Sequence, residues 1–312
     1  MNAPPFKLAL YLPELRLPFE KAVAAAADIG VDFLWHSFGE GPCSTKHLLD
    51  MSDAEVDATQ ACLDAHRLKF FLINAGAHFK QLHLTDLQLD TLQDHPEFRR
   101  DFKALERAME VAAHLGVAAV NPFTFAWPGE YSAGKPTWPM RWLTRGGYIA
   151  PVDMDKLVKA FSLVAEAAER HQVDVALSMM CWNYTNTTAH FRRLAEAVGS
   201  PRLKVMWGPA DNTNCGESDV ASAGFLNVRP YLYGLHLKDL RVNDGLALDF
   251  DYCPIGEGDV DYPTVLNNLR RHQCDVFLSL ATHFLPPSGD PVEAMRINYA
   301  NLQGLLNSLE TP

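Results

Sequence analysis

A single (β/α)8 barrel is the fold this sequence predicts, and three observations predict it. Short apolar runs of strand length alternate with longer stretches of helical period from one end of the chain to the other. No linker, low-complexity tract or charge block divides the 312 residues, so the alternation belongs to one domain, 1–312. One βα unit is legible almost residue by residue. Leu232 and Gly234 to Leu237 form an apolar run broken only by His236, a polar loop turns at Gly256 and Gly258, and Asp261 with Pro263 opens a helix. Asp261 is a good N-cap, and Pro263 sits in the first turn, where its missing N–H costs nothing.

The remaining elements follow in order. The first strand is expected over Lys7 to Leu12 and its helix over Phe19 to Ile29. The second strand runs Val31 to Trp35 and ends at His36. A loop from Ser37 to Leu49 leads to a helix starting near Ser52, where Ser52 and Glu55 make a capping box. Leu68 to Ile73 is the third strand, and a long segment with His78, His83 and His95 follows it to Pro96. In the helix Phe98 to Leu115, Phe102, Leu105, Met109 and Ala113 share one face, and Gly116 ends it. Val117 to Val120 is the fourth strand. The irregular stretch Asn121 to Pro151 holds Trp127, Tyr131, Trp138, Arg141, Trp142 and Arg145. A loop that long inside a compact domain reads as a lid or binding loop over the C-terminal face. Helix Asp155 to His171, strand Val173 to Met179, helix Thr188 to Val198 and strand Leu203 to Trp207 come next. Asn214 to Val228 is loop plus a weak helix. After the unit described above, Asp275 to Ala281 is the eighth strand, and Asp290, Pro291 and Glu293 start a helix that runs to about Leu309.

Composition narrows the function. A formal charge of −11 argues against nucleic acid and against an anionic membrane surface. No N-terminal apolar signal region and no bilayer-length apolar run are present. The six cysteines are scattered without a CxxC pair, which points to reduced thiols in a cytoplasmic enzyme rather than a zinc knuckle or redox motif.

HLKD at 236–239 followed by PIGEGDVDY at 254–262 resembles the sugar phosphate isomerase/epimerase superfamily, the xylose isomerase-like TIM barrels. That resemblance implies a divalent metal held by Glu, Asp, His and Glu from four strand ends. Metal-binding relatives end strand five as LALE; this chain reads VALS, with Ser178 in the glutamate's place. Strand six runs into an aspartate in DPAN; here WGPADN puts Gly208 there, with Asp211 three residues on. His236 matches the histidine of strand seven. Strand eight ends LSLE in relatives and LSLATH here, with Ala281 at the second glutamate. One imidazole cannot hold a hard cation that needs several oxygens, so no cofactor is expected. Manganese or magnesium enters only if strands five and six align differently.

The resemblance therefore implies a protein acting on a carbohydrate or polyol derivative without the four-ligand metal. Isomerase, epimerase or lyase chemistry on an enolisable keto-sugar is the expected class. His236 and Asp211 are the candidate proton carriers, although His236 also reads as a hydrogen-bonded barrel residue. Candidate substrate-binding residues are His36, Trp127, Arg141, Trp182, Lys238 and His283. Aromatic faces beside arginines suit a sugar ring, and Met179 to Trp182 give strand five a soft, apolar end. Lys238 and Asp239 also read as an ion pair at the barrel rim. Two alternatives stay open: a non-catalytic sugar-binding protein or partner subunit, and a relocated metal on Asp211, His236 and His283. By analogy with similar barrels, a homo-oligomer is expected.

Overall fold

Alternation of side chains along each strand decides the layering. The computed structural model describes residues 6–39, 41–43, 45–74, 79–80, 82–127, 147–244 and 249–309. Its strands are β1 (Lys7–Tyr11), β2 (Phe33–Ser37), β3 (Lys69–Asn74), β4 (Ala119–Val120), β5 (Asp174–Ser178), β6 (Leu203–Trp207), β7 (Leu232–Leu237), β8 (Asp239–Asp244), β9 (Asp249–Cys253) and β10 (Phe277–Leu280). Eight of them close into a barrel in the order β1-β10-β7-β6-β5-β4-β3-β2, every neighbouring pair parallel. On β5, Val175 and Leu177 face the outer core while Ala176 faces the barrel interior; on β6, Val205 and Trp207 face outward and Met206 inward. The interior is filled by Ala9, Trp35, Phe71, Leu72, Ala119, Ala176 and Met206, so the barrel is packed rather than hollow.

The outer layer is α1 (Phe19–Ile29), α2 (Asp53–Ala65), α3 (Pro96–Leu115), α4 (Pro151–His171), α5 (Thr188–Val198), the short α6 (Pro209–Asn214) and α7 (Phe225–Val228), α8 (Tyr262–Arg271) and α9 (Pro291–Asn307). Ser52 and Glu55 form the expected capping box, and Asp261 and Asp290 cap α8 and α9. Helices α3 and α4 start at Pro96 and Pro151, earlier than expected, because proline serves as the first helical residue.

Two features depart from the sequence reading. The polar loop after β7 is an antiparallel hairpin, β8 on β9, in which Leu240 pairs with Tyr252 and Val242 with Phe250. Its alternating apolar residues carried a strand signal that the surrounding charges masked. Lys238 and Asp239 do not pair. Successive residues of an extended chain point opposite ways, and each finds its own partner, as described below. Six free cysteines are distributed as three buried and three half-buried. No helix among the described residues is long and apolar enough to cross a membrane.

Candidate functional site at the C-terminal mouth of the barrel

Strand β7 delivers two polar side chains to the mouth. His236 and Lys238 are two residues apart, so they leave the strand on the same side. Both are buried. The His236 ring stacks on Trp35, centroids 4.9 Å apart, and Trp35 stacks in turn on Tyr11 at 4.0 Å. Trp35 is fixed in place by donating its Nε1–H to Ser279 Oγ at 2.8 Å. His236 Nε2 has no hydrogen-bond partner among the described residues. Burial first, then the charges of Lys238 and His283, hold this imidazole well below its usual pKa, so it is neutral. A neutral ring offers one donor and one acceptor.

The Lys238 ammonium lies 2.9 Å from Asp211 Oδ2, and the two side chains are 2% and 4% exposed. Among the described residues, no further group donates to Oδ2. Asp211 reaches this spot from α6 because residue 208 is glycine. A Cβ there would sit 2.5 Å from Asp211 Oδ2 and 3.0 Å from the Met179 carbonyl. A carboxylate from the first turn of α6 thus stands beside Lys238 at the mouth.

Asp239 does different work. Its carboxylate accepts backbone N–H bonds from Leu240, Gly256, Gly258 and Val260 at 2.9–3.3 Å. Burial raises its pKa, against the lowering effect of those four bonds. A side chain at Gly258 would collide with this carboxylate and with the Leu240 carbonyl. HLKD and PIGEGD are therefore bound to one another: the aspartate of the first motif folds the loop of the second.

The loops after β1 and β10 meet across the mouth. A short 3-10 turn, Leu12–Leu15, carries Glu14. Glu14 Oε1 is 2.8 Å from His283 Nδ1, and Oε2 accepts the His283 backbone N–H at 3.1 Å. Burial alone would raise the Glu14 pKa, but the His283 charge and hydrogen bonds, with Lys238 behind them, outweigh it and the net shift is downward. His283 has φ 52°, a left-handed conformation that costs a non-glycine residue on the order of 1 kcal/mol or more. The double contact with Glu14 holds it there.

These groups converge on one cavity of about 370 Å³. Trp35, Tyr11, Phe123, Trp182 and Met180 supply its apolar surface; Glu14, Arg16, Lys80, His236, Lys238 and His283 supply charge and polarity. Of the residues anticipated from sequence, His236, Lys238, Trp182 and His283 come together in its lining. Asp211 stands behind Lys238, outside the lining. His36 is turned away from the cavity: its Nε2 is 2.7 Å from Thr45 Oγ1, its ring is edge-on to Phe19 and Phe38, and burial pushes its pKa down to about 3. Trp127 stacks on Tyr184 at 4.2 Å, which makes it loop packing. Arg141, like His78, Tyr131, Trp138, Trp142 and Arg145, lies outside the described residues. Glu14 was missed by the sequence reading. Its only signal is position just after the first strand.

The donors at the four strand ends do not suit a hard divalent cation. Ser178 Oγ is committed to Asn121, at 3.0 and 3.2 Å, Gly208 and Ala281 have no donor, and His236 is one imidazole. Nor do Asp211, His236 and His283 form a relocated triad, since Asp211 is engaged with Lys238 and His283 with Glu14. Among the described residues, no three His, Cys, Asp or Glu side chains cluster so as to hold a metal.

A closed parallel barrel with its cavity at the C-terminal strand ends defines a TIM-barrel protein whose site is built from βα loops. The chain belongs to the xylose isomerase-like TIM-barrel family, whose model matches residues 23–297. L-ribulose 3-epimerase superposes with a TM-score of 0.70 at 14% identity, over 97% of this chain and 95% of that one. D-psicose 3-epimerase with D-tagatose, from Clostridium cellulolyticum H10, gives 0.68 at 16%, over 98% and 100%. A xylose isomerase-like barrel from Mycobacterium smegmatis in complex with magnesium gives 0.68 at 14%, over 99% of each chain. At such identities the likeness carries the fold alone. No curated protein matches the sequence.

Proposed function

We propose that the barrel mouth binds a carbohydrate or polyol derivative and moves a proton at the carbon beside its carbonyl, as an isomerase, epimerase or related lyase does. The observation that supports this reading is the meeting of stacked aromatic rings and buried proton carriers on one cavity. Tyr11, Phe123 and Trp182 give the cavity aromatic surface suited to the C–H side of a sugar ring. Buried polar groups are normally hydrogen-bonded, so the unpartnered His236 Nε2 fits a ligand hydroxyl or carbonyl. In this reading His236 is one proton carrier, and the Glu14–His283 pair faces it as the second. Glu14 orients the His283 ring and steadies it when it takes a proton. Substrates related to those of the ribulose and psicose epimerases are the first to try.

The test is solvent exchange. A panel of keto-pentoses, keto-hexoses and 3-keto-glycosides is incubated with the protein in D2O, and deuterium at carbon is followed by NMR. Exchange with at least one compound is expected, and His236→Ala should slow it about 100-fold or more. Binding without exchange would turn the reading into that of a non-catalytic sugar-binding barrel. Undiminished exchange in His236→Ala would remove His236 from the chemistry.

A further inference from the structure

We propose that the Lys238 ammonium receives the carbonyl oxygen of the substrate at the barrel mouth, the electrophilic role a divalent cation would otherwise fill. The inference rests on the keto-sugar reading of the pocket and adds its electrophile. Three observations carry it. The ammonium is buried at the end of β7, lines the cavity, and among the described residues has one carboxylate at ion-pair distance, Asp211. An ammonium has three N–H donors; Asp211 engages it through one carboxylate oxygen, so donors remain for a ligand. The unpartnered Nε2 of His236 opens from the same side of the same strand, so one ligand can satisfy both. The exchange at residues 208 and 211 completes the device. Glycine at 208 leaves room for the Asp211 carboxylate, which balances the lysine from behind and leaves the cavity side of Nζ for substrate.

The chemistry then needs no metal ligand. When a base takes the proton beside the carbonyl, the C–H electron pair becomes the new C=C bond. The carbonyl π pair moves to oxygen, and the enolate oxygen rests on the Lys238 ammonium. Return of the proton to the other face of the same carbon reverses each shift and inverts that carbon. Return to the former carbonyl carbon also has the enolate oxygen take up a proton while the neighbouring hydroxyl loses its own and becomes the new carbonyl. A charge developing on oxygen in a water-poor pocket is where a fixed cation stabilises most. The same ammonium repels an incoming divalent ion.

Two measurements test this. In the first, Mn2+ alone is titrated into the wild-type protein and into Lys238→Glu by calorimetry, with Tm followed in parallel. The wild type should take up no stoichiometric Mn2+ at millimolar concentration. Lys238→Glu, which adds a carboxylate between Asp211 and His236, should gain about 100-fold or more in affinity and a Mn2+-dependent rise in Tm. Stoichiometric uptake by the wild type overturns the inference, as does a folded Lys238→Glu protein as indifferent to Mn2+ as the wild type. In the second, a keto-hexose panel including D-tagatose is titrated into the wild type and into the double variant Lys238→Met, Asp211→Asn, which leaves no unpaired buried charge. Affinity should fall about 10- to 100-fold; unchanged affinity overturns the inference while leaving the sugar-site reading in place. Failure of every keto-hexose to bind the wild type removes that reading instead, and the Mn2+ titration still decides the identity of the cation.

Discussion

On the β4–β5 side of the mouth, polar side chains satisfy one another. Asn74 donates to the Asn121 side chain and carbonyl, Asn121 donates to the Ala176 carbonyl and to Ser178, and Asn183 donates to the Ser178 carbonyl. On the β7–β10–β1 side, Lys238 is paired with Asp211 and His283 meets Glu14, and among the described residues His236 Nε2 lacks a hydrogen-bond partner. Both regions are buried and polar, and both occupy strand ends. The difference teaches how to sort them: a network that closes on itself is architecture, and one left open toward a cavity awaits a ligand.

The sharpest way to break that contrast is Lys238→Met. It strands the Asp211 carboxylate in the interior and should cost about 3–5 kcal/mol in urea denaturation. Adding Asp211→Asn should recover most of the loss; if it does not, the pair is not the source. Next comes Glu14→Gln, expected to cost about 1.5–3 kcal/mol at neutral pH by weakening the bonds to His283. Because folding lowers the Glu14 pKa, its stabilisation is present above the ordinary value of 4.5 and is lost as pH falls below it. The gap between wild type and Glu14→Gln should therefore narrow on acidification; a constant gap would deny the downward shift.

Gly208→Ala sharpens the comparison at the boundary of the two regions. The new methyl meets Asp211 Oδ2 at 2.5 Å, and a loss of about 1–3 kcal/mol is expected. Repeating it with Asp211→Ala should bring the cost down, which thermal denaturation would register. Smallest is Ser178→Ala, on the closed side. It should cost about 1 kcal/mol of stability and leave sugar affinity as it was. A large drop in affinity would show that the neutral network reaches the ligand after all.

Much of this was legible in advance. The eight strands and the caps at Ser52, Asp261 and Asp290 all depend on local pattern. Four of the anticipated site residues share the cavity, because a residue at a barrel strand end has few places to go. Glu14 escaped notice because nothing near it in the chain marks it. Its partner His283 is 269 residues away. His36 drew attention by ending a strand, yet its ring turns into an aromatic pocket, a choice made by neighbours from other elements.

Periodicity and helix caps act over a few residues, so the sequence by itself determined the barrel and the order of its parts. It also determined which residues stand at the strand ends. Only the tertiary structure decided who pairs with whom: Lys238 with Asp211 rather than Asp239, and Glu14 with His283. Charge pairing in a buried site depends on distance in space, and closing the barrel brings the first and last loops within hydrogen-bond reach.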